Sequence, residues 1–194
     1  MKNEFQHINH RFEDNPEKGF FALNKFKSEI KNPTLDCIIQ SDLLNKKYFS
    51  TEQQKNETQR QLDQLTSYVE MVGIYKVDEN EQIELYGPIL KNKLSSSDFI
   101  KLDFKSYLTK IQTYIMEWTD ENWNQRVEAF QEFHQIALAE LKNNSAKERT
   151  YYFLDAENID KEKLYEINWY DYFFTVVSTL ENSDSLLIMN YGND

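Results

Sequence analysis

The three histidines and the single cysteine are the first places to look for chemistry in this chain. His7, His10 and Glu13 follow the spacing H-x2-H-x2-E. On a helix that spacing would bring both imidazoles to one face as metal ligands. The pattern is short, lies near the start of the chain, and lacks the H-E-x-x-H form of a catalytic zinc helix. An ordinary polar segment is the better reading, and no metal site is expected. His134 falls on an apolar helical stripe, where a histidine at a core boundary is expected more than a general base. Cys37 has no flanking signature of a nucleophile, and a buried structural role suits it.

The carboxylates are numerous but not organised into a known site. Asp155, Glu157, Asp160 and Glu162 follow one another like a cation cradle, yet the segment lacks the glycine that a calcium loop needs at its sharp turn. Glu29-Ile30-Lys31 has the E-x-K form seen in nucleases, without an upstream acid on a strand to complete it. Phosphate-binding loops are excluded directly, because the chain has only 4 glycines and no G-x-x-x-x-G-K or G-x-G-x-x-G. No catalytic residue and no cofactor is therefore expected.

One region stands out. From Leu164 to Asp194, 31 residues carry no Lys, Arg or His, but hold Glu166, Asp171, Glu181, Asp184 and Asp194. Tyr165, Trp169, Tyr170, Tyr172, Phe173, Phe174 and Tyr191 lie in the same stretch. Residues 151 to 194 contain 9 acids and 2 lysines, a charge of −7 out of −11 for the whole chain. Tyr and Trp dominate binding hot spots, and flanking acids would steer a basic partner onto them. Glu166, Trp169, Tyr170, Asp171 and Tyr172 are the candidate partner-binding residues. The competing reading is that the rings are core and the acids are their solvated flanks.

The elements that must position these residues can be read from periodicity. Residues 17 to 31 have Phe20, Leu23, Phe26 and Ile30 at roughly helical spacing, ended by Asn32-Pro33. Cys37 to Ile39 is a short strand or a buried turn. Ser50 and Gln53 resemble a capping box for a helix over 51 to 72. Ile74 to Val77 and Ile83 to Tyr86 read as a hairpin turning at Asp78 to Glu81 and closed by Gly87-Pro88. A helix is expected over 98 to 117. Another is expected over 120 to 142, where Trp123, Val127, Phe130, His134, Ala137 and Leu141 form a stripe. The two should pack as an antiparallel pair. Tyr151 to Leu154, Tyr172 to Leu180 and Ser185 to Tyr191 are strands. The expected fold is α+β: a helical N-terminal and middle part, including the antiparallel helix pair, packed on a small antiparallel β-sheet. It would be a single domain over 1 to 194, with residues 1 to 16 poorly ordered.

Composition narrows the setting. The chain has 194 residues, 13 Phe and 12 Tyr, so its mean hydropathy of −0.75 does not signal disorder. A single cysteine makes no internal disulfide, and no leader-like segment is evident, so a cytoplasmic location is expected. No run approaches the ~18 apolar residues of a membrane helix. The net charge of −11 repels nucleic acid and anionic lipid and attracts basic protein. In general character (small, acidic, without a catalytic motif) the chain is similar to bacterial immunity proteins that block nuclease-type toxins. That likeness implies a toxin inhibitor that docks on a basic toxin domain and occludes it. The rival readings are an enzyme with a site of carboxylates and His134, and a structural subunit that oligomerises through the Trp123 to Leu141 stripe.

Overall fold

The computed structural model describes residues 5–15, 19–49, 74–78, 81–120, 123–165 and 170–193. The chain opens on two long strands, β1 (Phe5–Asn15) and β2 (Gly19–Ser28). A short helix follows, α1 (Leu35–Gln40), where Thr34 caps the first turn by accepting from the Cys37 amide at 3.2 Å. Strands β3 (Ile74–Asp78), β4 (Glu81–Tyr86) and β5 (Ile89–Leu90) come next, then β6 (Ile100–Leu102). Two longer helices, α2 (Phe104–Asp120) and α3 (Asn124–Lys142), lead to β7 (Arg149–Asp155), β8 (Tyr172–Leu180) and β9 (Ser185–Asn193).

The centre of the molecule is a six-stranded sheet in the order β1-β2-β9-β8-β7-β6, antiparallel throughout. Strands β3, β4 and β5 form a separate three-stranded sheet. The expected α+β arrangement, a helical N-terminal part on a small sheet, is therefore corrected. The sheet is large, and the N-terminal part is one of its hairpins. The segment read as a helix over 17 to 31 is mostly β2. It lies between β1 and β9, where both of its faces are covered. Phe21 and Leu23 join the core under α2 and α3, while Phe20, Ala22 and Phe26 join the core on the opposite face. A strand apolar on both faces loses its period-2 signature, and its large residues then mimic a helical stripe. Cys37 to Ile39, read as a strand or turn, belongs to α1. The expected helix over 51 to 72 lies outside the described residues.

Each face of the sheet carries its own aromatic core. On the helical face a row of rings crosses the strands. Phe21 meets Tyr191 at 4.8 Å, Tyr191 stacks on Phe174 at 4.8 Å, and Phe174 meets Phe153 at 5.4 Å. Tyr114 of α2 stacks on Phe174 at 5.4 Å, and Phe130 of α3 closes over Phe174 and Tyr191 at 5.5 Å. Tyr107 approaches His134 while Trp118 approaches Phe130, so the two helices run antiparallel. On the other face Phe49 contacts Phe20, Tyr86 and Phe173. A polar centre lies within that core. The hydroxyls of Tyr86 and Thr175 both donate to Asn190 Oδ1, the latter at 2.9 Å. Gly87, at φ +56, turns the chain here, and a Cβ would lie 2.6 Å from the Phe173 ring. Lys91 then reaches Asp42 and Glu84, tying this layer to the loop after α1. Burial alone would raise the Asp42 carboxyl, but hydrogen bonds from Lys91, Asn45 and Lys47 hold it down at about 2.

Arg149 locks the far end of β7, β8 and β9. It is buried, and its guanidinium donates to Ser178 Oγ at 2.9 Å and Ser178 O at 2.7 Å. Further bonds reach Ser185 O at 3.1 Å, and Ser185 Oγ and Asn144 O at 3.3 Å. Desolvation lowers its pKa to about 10, which still leaves it charged at neutral pH. Replacing Arg149 by Met would take a donor from the buried Ser178 carbonyl and from the part-buried carbonyls of Ser185 and Asn144. The expected loss is about 2–4 kcal/mol, read from urea unfolding followed by tryptophan fluorescence. An unchanged midpoint would show that the clamp is not structural.

Candidate interaction surface

The sheet register decides which residues share an end of the molecule. Asp14 pairs with Phe20, Phe20 with Gly192, and Gly192 with Phe173. Asp155 pairs with Phe174 on the next row. The start of β8, the ends of β7 and β9, the end of α2 and the start of α3 therefore meet at one end. Asp14, Glu117, Asp155, Glu157 and Asp171 lie at that end, spread across the width of the sheet from β1 to β7, with Arg126 among them on Asp171.

Two constellations organise this end. In the first, Asp155 is buried at the end of β7 and accepts from the Tyr114 hydroxyl and the Asn158 amide. Its second oxygen takes the Glu157 backbone N–H at 3.0 Å. The Tyr114 hydroxyl is pushed far above its ordinary value by burial, then by Asp155, with Glu157 and Glu117 adding to the negative field. Lys110 lies 4.9 Å over the Tyr114 ring. In the second, Arg126 lies 3.9 Å over the Trp123 ring, with Trp118 and Tyr172 at 5.6 and 5.5 Å. Its Nη2 donates to Asp171 Oδ2 at 2.9 Å, and Asn193 Nδ2 supports the same oxygen at 3.2 Å. The Asp171 amide donates to Asn193 O at 2.7 Å, which fixes the carboxylate relative to β9.

The sequence candidates divide. Glu166 and Trp169 lie outside the described residues. Asp171 is open, with 63% of its side chain exposed. Tyr170 is half-buried, with its ring against Phe173 at 5.2 Å and Phe20 at 6.5 Å. Tyr172 is buried, under Trp118 at 4.9 Å, so it forms the floor of the end and not its surface. Sequence reasoning missed Trp123 and Arg126. Trp123 was assigned to the inward stripe, but it is 44% exposed. It precedes the first helical residue, so the stripe had run out there, and that position was the available signal.

The other candidates take structural places. A bulge in β1 between His7 and Asn9 turns His7 and His10 to the same face. Both rings bond Asn24 Oδ1, at 3.0 and 2.8 Å, while Glu13 pairs with Arg11. Among the described residues no cluster of three or more metal-ligating side chains forms. Cys37 is half-buried on α1. Asp160 caps a short turn by accepting from the Glu162 amide at 3.1 Å. Glu29, Ile30 and Lys31 are exposed in the bend after β2.

His134 is buried against Tyr107, and its Nδ1 meets no hydrogen-bond partner among the described residues. The acids gather instead around Tyr114. Tyr107 and Tyr114 are about 10 Å apart along α2, at 1.5 Å per residue. His134 and the carboxylates thus occupy different levels of the core. Val127, Phe130, Ala137 and Leu141 are buried against the chain's own sheet, which takes up most of the helical stripe.

Comparison with known proteins gives no match, whether to a family model, a curated protein or a solved structure. Among the described residues no helix is long and apolar enough to cross a membrane.

Burial lowers the His134 pKa from 6.5 to about 4. The unfolded chain therefore takes up this proton first as pH falls. The stability contributed by the neutral ring is present above pH 6.5 and drains away between there and about 4. Going from pH 7.5 to 5 should remove about 2 kcal/mol through this residue. Urea unfolding of the intact chain and of His134→Phe at both pH values checks this. The variant should show the smaller difference, and equal differences would remove His134 from the account.

Proposed function

We propose that the chain is an acidic binding protein that docks a basic protein partner and occludes it, as immunity proteins do with nuclease-type toxins. Its expected setting is the cytoplasm. The observation that carries this reading is that Glu117 and Glu157, both acting on Tyr114, and Asp171, held by Arg126 against the exposed Trp123, lie at the same end of the sheet. The opposite end differs. There Lys27, Lys105, Lys142 and Lys147 interleave with Glu29, Asp103, Glu148 and Asp184. A molecule polarised in this way orients a basic partner before contact, and the effect weakens as salt screens it.

Trp123 supplies apolar area where acids alone would give only steering. Trp is among the residues most enriched in hot spots. Tyr170 extends the ring surface towards the other face of the sheet, and Tyr172 supports it from beneath. Occlusion would follow if the carboxylates took the places that phosphates occupy in the partner's groove.

Lysine substitution of Glu117, Glu157 and Asp171 together should weaken binding to a basic protein encoded beside this chain by at least about tenfold, a loss of about 1.4 kcal/mol. Lysine substitution of Glu148 and Glu181 at the opposite end should leave the affinity unchanged. Calorimetric titration at two salt concentrations reads both variants. Equal affinities for the first variant and the unaltered protein would sink the acidic-end reading.

A further inference from the structure

We infer that Trp118, Trp123, Tyr172 and Asp171 form a guanidinium-binding site that Arg126 occupies as an internal ligand, and that an arginine side chain is the partner group this site takes when Arg126 leaves. The inference rests on the proposed docking at the acidic end and specifies the residue class that docks there.

The site has the features that select guanidinium over ammonium. A planar cation lies 3.9 Å over an indole, two more rings stand at 5.5 and 5.6 Å, and a carboxylate accepts from the cation's edge at 2.9 Å. Stacking on an aromatic face and in-plane donation to an acid are simultaneous only for a flat, multi-donor cation. A lysine ammonium would satisfy the acid and lose the stacking.

The present occupant fits imperfectly in three respects. Arg126 Nη1 is buried without a hydrogen-bond partner among the described residues, which leaves a desolvated donor unsatisfied. Arg126 is the third residue of α3, in the first turn, where a positive charge opposes the helix dipole. That helix start has no acid in its first turn and no side-chain cap to offset the charge. Meanwhile the rim of the site faces solvent, through Trp123 and Asp171. An incoming arginine, carried by a partner's backbone and not by this helix, would keep the stack and the acid. It would also release Arg126 to water. The chain's own arginine thus holds the rings and the carboxylate in position until a partner supplies a better one.

The test begins with Arg126→Gly in the full chain. The probe is guanidinium chloride at low millimolar concentration, compared with methylammonium chloride and sodium chloride at the same concentration. Guanidinium should raise the thermal midpoint of Arg126→Gly above both controls, as any ligand of the native state does. It should have no such effect on the unaltered chain or on Arg126→Gly combined with Asp171→Asn. An equal response to guanidinium and methylammonium overturns the inference. If the glycine variant does not fold, Arg126→Lys, which keeps the charge and loses the planar fork, takes its place. That variant should bind a hexa-arginine peptide at least about threefold more tightly than a hexa-lysine peptide. Equal binding of the two peptides, weakened by salt, would overturn the guanidinium site while leaving acidic-end docking intact. Binding of neither peptide would remove both.

Discussion

The pairing of β2 with β9 is the constraint on which the rest of the structure depends. It joins the first hairpin of the chain to the last, across some 160 residues, and turns two hairpins into one continuous sheet. The strands in the middle of that sheet are buried along most of their length on both sides. Neither face can be left to water, so each must be covered. The helix pair covers one face, and α1, Phe49 and the β4–β5 unit cover the other. The aromatic rows follow from this, because large flat rings fill the two broad interlayer spaces at low cost in side-chain entropy.

Burial on both faces forces polar groups inside the sheet to find partners there. Asn190, Thr175 and Tyr86 satisfy one another on one face. Arg149 meets its carbonyls and hydroxyls at one end, and Asp155 takes the Tyr114 hydroxyl near the other. His134 differs, since its Nδ1 meets no hydrogen-bond partner among the described residues and burial among rings lowers its pKa. The contrast between the two ends has the same origin. Strand direction and register decide which turns lie side by side, and they bring the Asp155 and Asp171 segments to one end and the β8–β9 turn to the other.

Much of the local structure was legible in the sequence. The α3 stripe, the β3–β4 hairpin and the turn between β8 and β9 each rest on neighbours within about a dozen residues. For such elements periodicity and turn chemistry carry most of the information. The β2 segment was misread because the rule that identifies a half-exposed strand requires one polar face, and Gly19–Ser28 has none to show. Of the proposed contact surface, Asp171 and Tyr170 were visible through composition. Trp123 and Arg126 were not, since nothing local relates them to a carboxylate 45 residues further on in the chain.

The sequence by itself determined the charge, its concentration towards the C-terminal end, the absence of phosphate loops, and the elements built from short-range periodicity. These are properties of residue type and near-neighbour spacing, which need no fold to express. The tertiary structure alone decided the size of the sheet, the burial of Tyr172, the exposure of Trp123 and the meeting of Arg126 with Asp171. Each of these depends on which distant strands pair and in what register, and a shift of a single residue there would exchange the two faces of a strand.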